Sequence, residues 1–146
     1  MTRPPSIDPV HRHGAGARIF VLEDDPYLRG ELVDFLEESG HRAASAGSVA
    51  EYREAWGDGN FDIALVDRGL PDGDGLDVVA GIRASGQRLW IIMLTGRGEI
   101  AECVSALGGG ADHYLVKPVR LEVLAATVET LVRRMDGLSD PQRKVR

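Results

Sequence analysis

The sequence has little cysteine and no long apolar segment, and both shortages narrow the class of protein. The only cysteine, Cys103, excludes an internal disulfide framework and a zinc site built on paired cysteines. No apolar run approaches the roughly 20 residues that a membrane-spanning helix needs. The N-terminal stretch holds Pro4, Pro5, Pro9 and His11 where a secretory signal peptide would need an apolar block. We therefore expect a cytoplasmic protein that does not associate with membranes.

The sequence is also short of positive charge. Its 17 lysines and arginines are outnumbered by 23 aspartates and glutamates, which gives a formal net charge of −6 at pH 7. This balance argues against nonspecific nucleic-acid binding by the whole chain, although it leaves open a DNA-binding partner domain. The 146 residues are 43% hydrophobic and 27% charged, a composition that predicts one globular domain and excludes a disordered or fibrous chain.

Hydrophobic patterning divides the chain into three parts. Residues 1–17 are rich in proline, glycine and histidine and lack an apolar period, which predicts a flexible leader. Residues 18–136 alternate short apolar runs with segments of helical period, which predicts a folded domain around a parallel sheet. Residues 137–146 are polar and basic and are predicted to be a tail or the start of a linker.

The central part predicts five strands and five helices in the alternating order (βα)5, an α/β fold with a doubly wound parallel sheet. The predicted strands are residues 19–22, 41–46, 63–66, 89–94 and 114–116. The apolar faces of the predicted helices include Leu28 and Leu32, Val49 and Trp56, Leu76 and Val79, Ile100 and Val104, and Leu121 and Leu124.

Polar side chains follow several of the predicted strands. Strand one runs into three consecutive acids, residues 23–25, and strand three runs into Asp67. Strand four runs into Thr95, and strand five runs into Lys117. Because ligands of open parallel sheets bind outside the carboxyl ends of the strands, we expect these side chains to meet at one rim of the sheet.

Clustered carboxylates repel one another, and a divalent cation or a lysine relieves the repulsion. Mg²⁺ prefers oxygen ligands and commonly takes one or two carboxylates together with water and phosphate oxygens. The pattern therefore predicts a Mg²⁺ site at Asp24, Asp25 and Asp67. Asp25 has a second interpretation, because an aspartate directly before Pro26 is also typical of a helix N-cap.

Asp67 follows four apolar residues and precedes a turn-rich loop, which suits a nucleophile exposed at the rim. A carboxylate can attack a phosphoryl group in line when cations neutralise the nonbridging oxygens. Thr95 and Lys117 are candidates to bind those oxygens. Each residue has an alternative interpretation. Thr95 could be a strand threonine whose hydroxyl bonds to the backbone, and Lys117 could be an ordinary surface lysine. The sequence leaves open whether the peptide bond from Lys117 to Pro118 is cis.

Five blocks of sequence resemble the receiver (CheY-like) domains of bacterial two-component response regulators, most closely the OmpR-type subgroup. The resemblance covers about residues 18–135, and the blocks are Glu23-Asp24-Asp25, Val66-Asp67, residues 70–76 (LPDGDGL), Leu94-Thr95 and residues 110–118 (GADHYLVKP). It implies the flavodoxin-like fold with strand order 2-1-3-4-5.

The resemblance also implies a site and its chemistry. Asp67 would accept a phosphoryl group from a sensor histidine kinase or a histidine phosphotransfer protein. Asp24, Asp25, Asp67 and the backbone carbonyl of Gly69 would hold Mg²⁺. Thr95 and Lys117 would bind the phosphoryl oxygens.

Tyr114 falls where the family has its switch aromatic, and the resemblance implies that it moves together with Thr95. The alternative is that Tyr114 is a half-buried strand aromatic with a structural role only. The switched face would comprise the fourth helix, fifth strand and fifth helix, which is the dimer face of OmpR-type receivers. Thr127 stands where that subgroup usually has arginine, so this homodimer is left open.

The predicted function is therefore a phosphorylation-dependent signalling receiver and not an enzyme. DNA would be contacted only through an output domain outside this chain, and we favour the receiver half of a longer regulator over a stand-alone receiver. One alternative is a protein-interaction module that works without phosphorylation. A more distant one is a Mg²⁺-dependent aspartyl phosphohydrolase, which would need an Asp-x-Asp pair at the end of strand one.

Overall fold

A five-stranded parallel sheet forms the centre of the computed structural model, which describes residues 16–99, 101 and 110–138. The strands are β1 (Arg18–Leu22), β2 (Arg42–Ala46), β3 (Ile63–Asp67), β4 (Trp90–Thr95) and β5 (His113–Val116). Their spatial order is β2-β1-β3-β4-β5, and every neighbouring pair is parallel. The predicted fold class and strand order are confirmed.

Within the described residues, four α-helices connect or flank the strands. They are α1 (Pro26–Glu38), α2 (Val49–Trp56), α3 (Gly75–Ala84) and the C-terminal helix (Leu121–Leu138). The predicted fourth helix, with Ile100, Val104 and Leu107, lies outside the described residues, as does Cys103. Between β3 and α3, residues Gly69–Leu70 and Gly73–Asp74 form a small antiparallel ladder that the sequence did not predict.

Helix starts are fixed by polar caps. The side chain of Asp25 accepts a hydrogen bond from the Tyr27 N–H at 2.9 Å, and Asp74 accepts one from the Leu76 N–H at 2.9 Å. Ser48 caps α2 through the Glu51 N–H at 3.1 Å. Each cap satisfies a backbone donor that has no partner inside its helix, which sets the direction in which the helix leaves the sheet.

The sheet is covered on both faces, which is why its central strands are almost continuously apolar. Alternate residues of β1 point to opposite sides. Ile19 and Val21 pack with α1 and the C-terminal helix, whereas Phe20 and Leu22 pack with α2 and α3. With both faces buried, the polar ends of the strands are left as the place where chemistry can occur.

Ordered packing begins earlier than the predicted boundary at Arg18. Ala17 is buried, its N–H donates to Nδ1 of His41 at 2.9 Å, and its carbonyl accepts from the Arg42 N–H at 2.9 Å. Burial lowers the pKa of His41, which keeps its ring neutral and able to accept this bond. The rest of the predicted leader, residues 1–15, and residues 139–146 lie outside the described part. None of the described helices is long and apolar enough to cross a membrane.

Replacing Gly30 with alanine is expected to stabilise the domain by about 0.5–1 kcal/mol. Gly30 lies exposed within α1, and a Cβ there would meet nothing within 4 Å. Alanine therefore lowers the entropy cost of helix formation without a clash. Urea denaturation measures the change in the free energy of unfolding. A loss of stability in Gly30→Ala would contradict the placement of this residue on the solvent side of α1.

Candidate functional site

Three strand ends bring oppositely charged side chains together at the carboxyl edge of the sheet. Glu23 follows β1, Asp67 is the last residue of β3, and Lys117 follows β5. Lys117 Nζ lies 3.0 Å from Oε1 of Glu23 and 3.1 Å from Oδ1 of Asp67. Glu23 and Asp67 are buried, while the lysine side chain is 30% exposed. The convergence of an ammonium group on two carboxylates follows from the order of the parallel strands.

Asp24 completes an acidic cluster with Glu23 and Asp67, which we call the acid cluster. One carboxylate oxygen from each residue lies within 4.8 Å of the others. Oδ2 of Asp67 is buried and has no hydrogen-bond partner in the described part of the chain. A buried carboxylate oxygen without a partner is costly, and a hard cation held by oxygen ligands would satisfy it. The donor set therefore fits a divalent cation such as Mg²⁺.

The structure separates one member of the predicted metal set, Asp25, from the acid cluster. Asp25 is exposed and uses its side chain to cap α1, so its carboxylate is not part of the acid cluster. Glu23, which the prediction passed over as a ligand, takes the place beside Asp24 and Asp67. The reason is local, since the helix starts at Pro26 and its N-cap must be the residue before it.

The charges of the acid cluster influence one another. Burial raises the pKa of Glu23 to about 7, against the effect of hydrogen bonds from Asp25 and Lys117. Burial also raises the pKa of Asp67, whereas a hydrogen bond with Asp67 lowers the pKa of Asp24. Burial alone would lower the pKa of Lys117, but Glu23 and Asp67 outweigh it and raise that pKa. The lysine is therefore charged. Its single positive charge does not fully compensate the clustered carboxyl groups, which a further cation would stabilise.

Thr95 is the last residue of β4, which lies between β3 and β5 in the sheet. Its carbonyl accepts the Lys117 N–H at 2.8 Å, and its side chain is buried. The hydroxyl contacts Oε1 of Glu99 at 3.3 Å, and the same oxygen accepts the Gly96 N–H at 3.2 Å. Glu99 is a neighbour that the sequence analysis missed. Its separation of four residues from Thr95 is the signal that could have identified it.

The loop after Asp67 is held close to the phosphoacceptor candidate. The Gly69 N–H donates to Oδ1 of Asp67 at 3.1 Å. A Cβ on Gly75 would overlap the backbone carbonyl of Asp67, so only glycine permits this approach. The carboxylate of Asp72 accepts the N–H groups of Val49 and Ala50 at 2.7 and 3.0 Å, which ties the loop to the start of α2. The role predicted for the Gly69 carbonyl stays a prediction.

Tyr114 lies half-buried on β5, opposite Met93 of β4, and packs against the core on the side of α2 and α3. This placement is compatible with both interpretations of Tyr114, a switch aromatic and an ordinary strand aromatic. The peptide bond between Lys117 and Pro118, which the sequence left open, is cis.

The response regulator receiver domain model matches residues 19–129 of the chain. The chain belongs to this family. The predicted resemblance is therefore confirmed, and the strand ends that hold Asp67, Thr95 and Lys117 lie within the matched part of the receiver domain.

Several full-length regulators are similar to this receiver domain. The virulence transcriptional regulatory protein PhoP of Salmonella typhimurium is 38% identical over 122 residues, covering 84% of this chain and 54% of PhoP. The transcriptional regulatory protein TcrA of Mycobacterium tuberculosis is 38% identical over 122 residues, covering 82% of this chain and 47% of TcrA. Both are OmpR-type regulators, so the predicted subgroup is confirmed. The chain spans about half the length of these relatives.

Solved receiver structures agree with the fold. A two-component response regulator from Clostridium difficile has a TM-score of 0.75 and 31% identity, covering 81% of this chain and 97% of that one. The response regulator TrrA from Thermotoga maritima, solved in complex with Mg(2+)-BeF, has a TM-score of 0.68 and 30% identity. That match covers 78% of this chain and 97% of TrrA.

Proposed function

We propose that Asp67 of this receiver domain accepts a phosphoryl group from a phosphohistidine and that Mg²⁺ is bound in the acid cluster during the transfer. The observation that carries the proposal is the buried Asp67 carboxylate, with Oδ1 beside Lys117 and Oδ2 without a hydrogen-bond partner in the described part of the chain. The Mg(2+)-BeF complex of TrrA supports it, because that relative belongs to the same family.

Glu23, Asp24 and Asp67 would hold the cation, together with the backbone carbonyl of Gly69. When bound, Mg²⁺ supplies positive charge that neutralises the carboxylates and the nonbridging phosphoryl oxygens. This set differs from the sequence prediction, since Glu23 replaces Asp25.

The chain's own residues would perform the transfer. An oxygen of the Asp67 carboxylate forms the new bond to phosphorus as the bond between phosphorus and the donor's imidazole nitrogen breaks. Lys117, 3.1 Å from Oδ1 of Asp67, would pair with one phosphoryl oxygen. The Thr95 hydroxyl would donate to another, which requires it to exchange its contact with Glu99.

The phosphoryl group would act as a switch by recruiting Thr95 and Lys117 and by shifting Tyr114. The affected surface would include β5 and the C-terminal helix, and a bias of a few kcal/mol between two arrangements is enough to change partner binding. The partners we propose are a cytoplasmic kinase domain or phosphotransfer protein as donor, a second receiver, and a DNA-binding output domain. The similarity to transcriptional regulators such as PhoP supports the last of these.

Incubation with acetyl phosphate and Mg²⁺, followed by intact-protein mass spectrometry, tests the proposal. We expect the mass of one added phosphoryl group, and we expect a chelator to prevent the addition. A folded sample that binds Mg²⁺ yet gains no mass would favour an interaction module that works without phosphorylation. Steady turnover of a phosphate ester would instead favour the phosphohydrolase.

Replacing Asp24 and Asp25 one at a time tests the proposed metal set. We expect Asp24→Asn to weaken Mg²⁺ binding about tenfold or more, because it removes a charged ligand. Asp25→Ala should leave the Mg²⁺ dissociation constant nearly unchanged, but it should cost about 1 kcal/mol of stability through loss of the α1 cap. Calorimetric Mg²⁺ titration and urea denaturation measure the two effects. The opposite assignment of effects would restore Asp25 as the ligand.

A further inference from the structure

We propose that Arg29 is a positioning residue for the acid cluster, which it orders by holding the backbone of the loop between β1 and α1. The inference rests on the proposed Mg²⁺ site. It adds a residue that is not itself a metal ligand. Arg29 lies on the first turn of α1 and is half-buried.

The guanidinium group reaches back from the helix to the strand end. Nη1 of Arg29 donates to the backbone carbonyl of Glu23 at 2.8 Å and lies 3.4 Å from that of Asp24. These carbonyls belong to the two cluster residues that the loop carries. Because a guanidinium is planar and always charged, it fixes the direction of the carbonyls it binds more strictly than a lysine does.

The opposite side of the same loop is held by β2. The Glu23 N–H donates to the carbonyl of Ala46 at 3.1 Å, and the Asp25 N–H donates to Oε2 of Glu23 at 3.1 Å. Arg29 therefore supplies the contact that holds the carbonyl side of a loop whose amide side is already bonded. Groups that orient metal ligands from outside the coordination shell commonly change metal affinity by 10–100-fold.

Gly47 keeps the path of the arginine open. A Cβ on Gly47 would overlap Nη1 of Arg29, the mobile end of a flexible side chain, so an alanine there would displace the guanidinium without a backbone clash. The φ angle of Gly47 is not in the left-handed region, so alanine adds no backbone strain. Gly47→Ala thus perturbs the same contact while Arg29 itself is kept.

Two readouts follow from a positioning role. In Arg29→Gln the dissociation constant for Mg²⁺ should rise about tenfold, while the phosphorylation rate at saturating Mg²⁺ should change little. Without Mg²⁺, the amides of Glu23 and Asp25 should exchange with solvent several-fold faster, because the loop opens more often. If Arg29 had only a structural role, Arg29→Gln would lower the melting temperature but leave the Mg²⁺ dissociation constant and the amide exchange rates unchanged.

The experiment compares wild type with Arg29→Gln, Gly47→Ala and the double variant, using Mg²⁺ titration calorimetry and amide hydrogen exchange. Arg42→Gln, at the opposite end of the sheet, and Gly30→Ala, where a Cβ meets nothing, are the matched controls. We expect both single variants to weaken Mg²⁺ binding and the double variant to be no weaker than Arg29→Gln. Unchanged affinity and exchange in Arg29→Gln, or equal effects in Arg42→Gln, would overturn the inference. If wild type binds no Mg²⁺, the proposed function fails, and hydrogen exchange alone then decides whether Arg29 orders the loop.

Discussion

Asp67→Asn is expected to abolish phosphorylation by acetyl phosphate while the domain stays folded. Asparagine keeps the shape of the side chain but has no anionic oxygen to attack phosphorus. The substitution also removes one carboxylate from the acid cluster, so the variant should bind Mg²⁺ more weakly. Intact-protein mass spectrometry measures the labelling, and the far-ultraviolet circular dichroism spectrum reports the fold.

The matched control is Asp34→Asn, which makes the same chemical change at an exposed position of α1. It should label as wild type does. Retained labelling in Asp67→Asn would place the phosphoacceptor on another residue. Loss of labelling in both variants would point to a general effect of the substitution and not to the chemistry of Asp67.

Lys117→Met is expected to cost about 3 kcal/mol of stability in the absence of divalent cations above pH 7. Removing one partner of a buried ion pair leaves an uncompensated charge and costs roughly 3–5 kcal/mol, and the 30% exposure of Lys117 favours the lower end. The loss should shrink as the pH falls towards 7, because Glu23 then takes up a proton in the folded state. Without the hydrogen bond from Lys117, which lowers the pKa of Glu23 to about 7 in the wild type, this protonation begins at a higher pH in the variant. Urea denaturation across a pH series measures it.

Mg²⁺ should recover part of this stability, since a cation in the acid cluster offsets the missing ammonium charge. The variant should still accept a phosphoryl group to some extent, because Asp67 is intact, but labelling should no longer change partner binding. Arg120→Met is the control, since the pair of Arg120 with Glu122 is exposed to solvent and contributes little to stability. Equal destabilisation in the two variants would show that the buried contacts of Lys117 are not what matters.

The fold was predictable because its signals are strong and local. The apolar runs of β1, β3 and β4 are buried on both faces, and such runs alternating with amphipathic helices favour a parallel sheet. The boundaries were less predictable. Ala17 is buried through contacts with His41 and Arg42, more than twenty residues away in sequence, and no local pattern indicates them.

The site was predictable as a set of strand ends but not in every member. Asp67 and Lys117 follow their strands directly, so topology alone brings them together. The choice between Glu23 and Asp25 depended on which acid caps α1. Pro26 indicates that Asp25 is the cap, because proline favours the first helical position and the residue before it is then the N-cap. The sequence prediction nevertheless included Asp25 as a ligand, because clustered carboxylates favour a divalent cation.

Contacts between backbone and distant side chains could not be predicted at all. The bonds from Arg29 to the carbonyls of Glu23 and Asp24 depend on the angle at which α1 leaves the sheet. The space that Gly47 leaves for the guanidinium depends on the position of a neighbouring strand end. Such contacts have no residue spacing of their own, and only the assembled structure reveals them.

The most direct measurement locates the phosphoryl group. Protein labelled with acetyl phosphate and Mg²⁺ is reduced with borohydride, which converts an aspartyl phosphate to homoserine, and is then digested and sequenced by mass spectrometry. The account predicts homoserine at position 67, absent when Mg²⁺ is chelated. Homoserine at Asp24, or phosphate retained on a hydroxyl side chain, would contradict it.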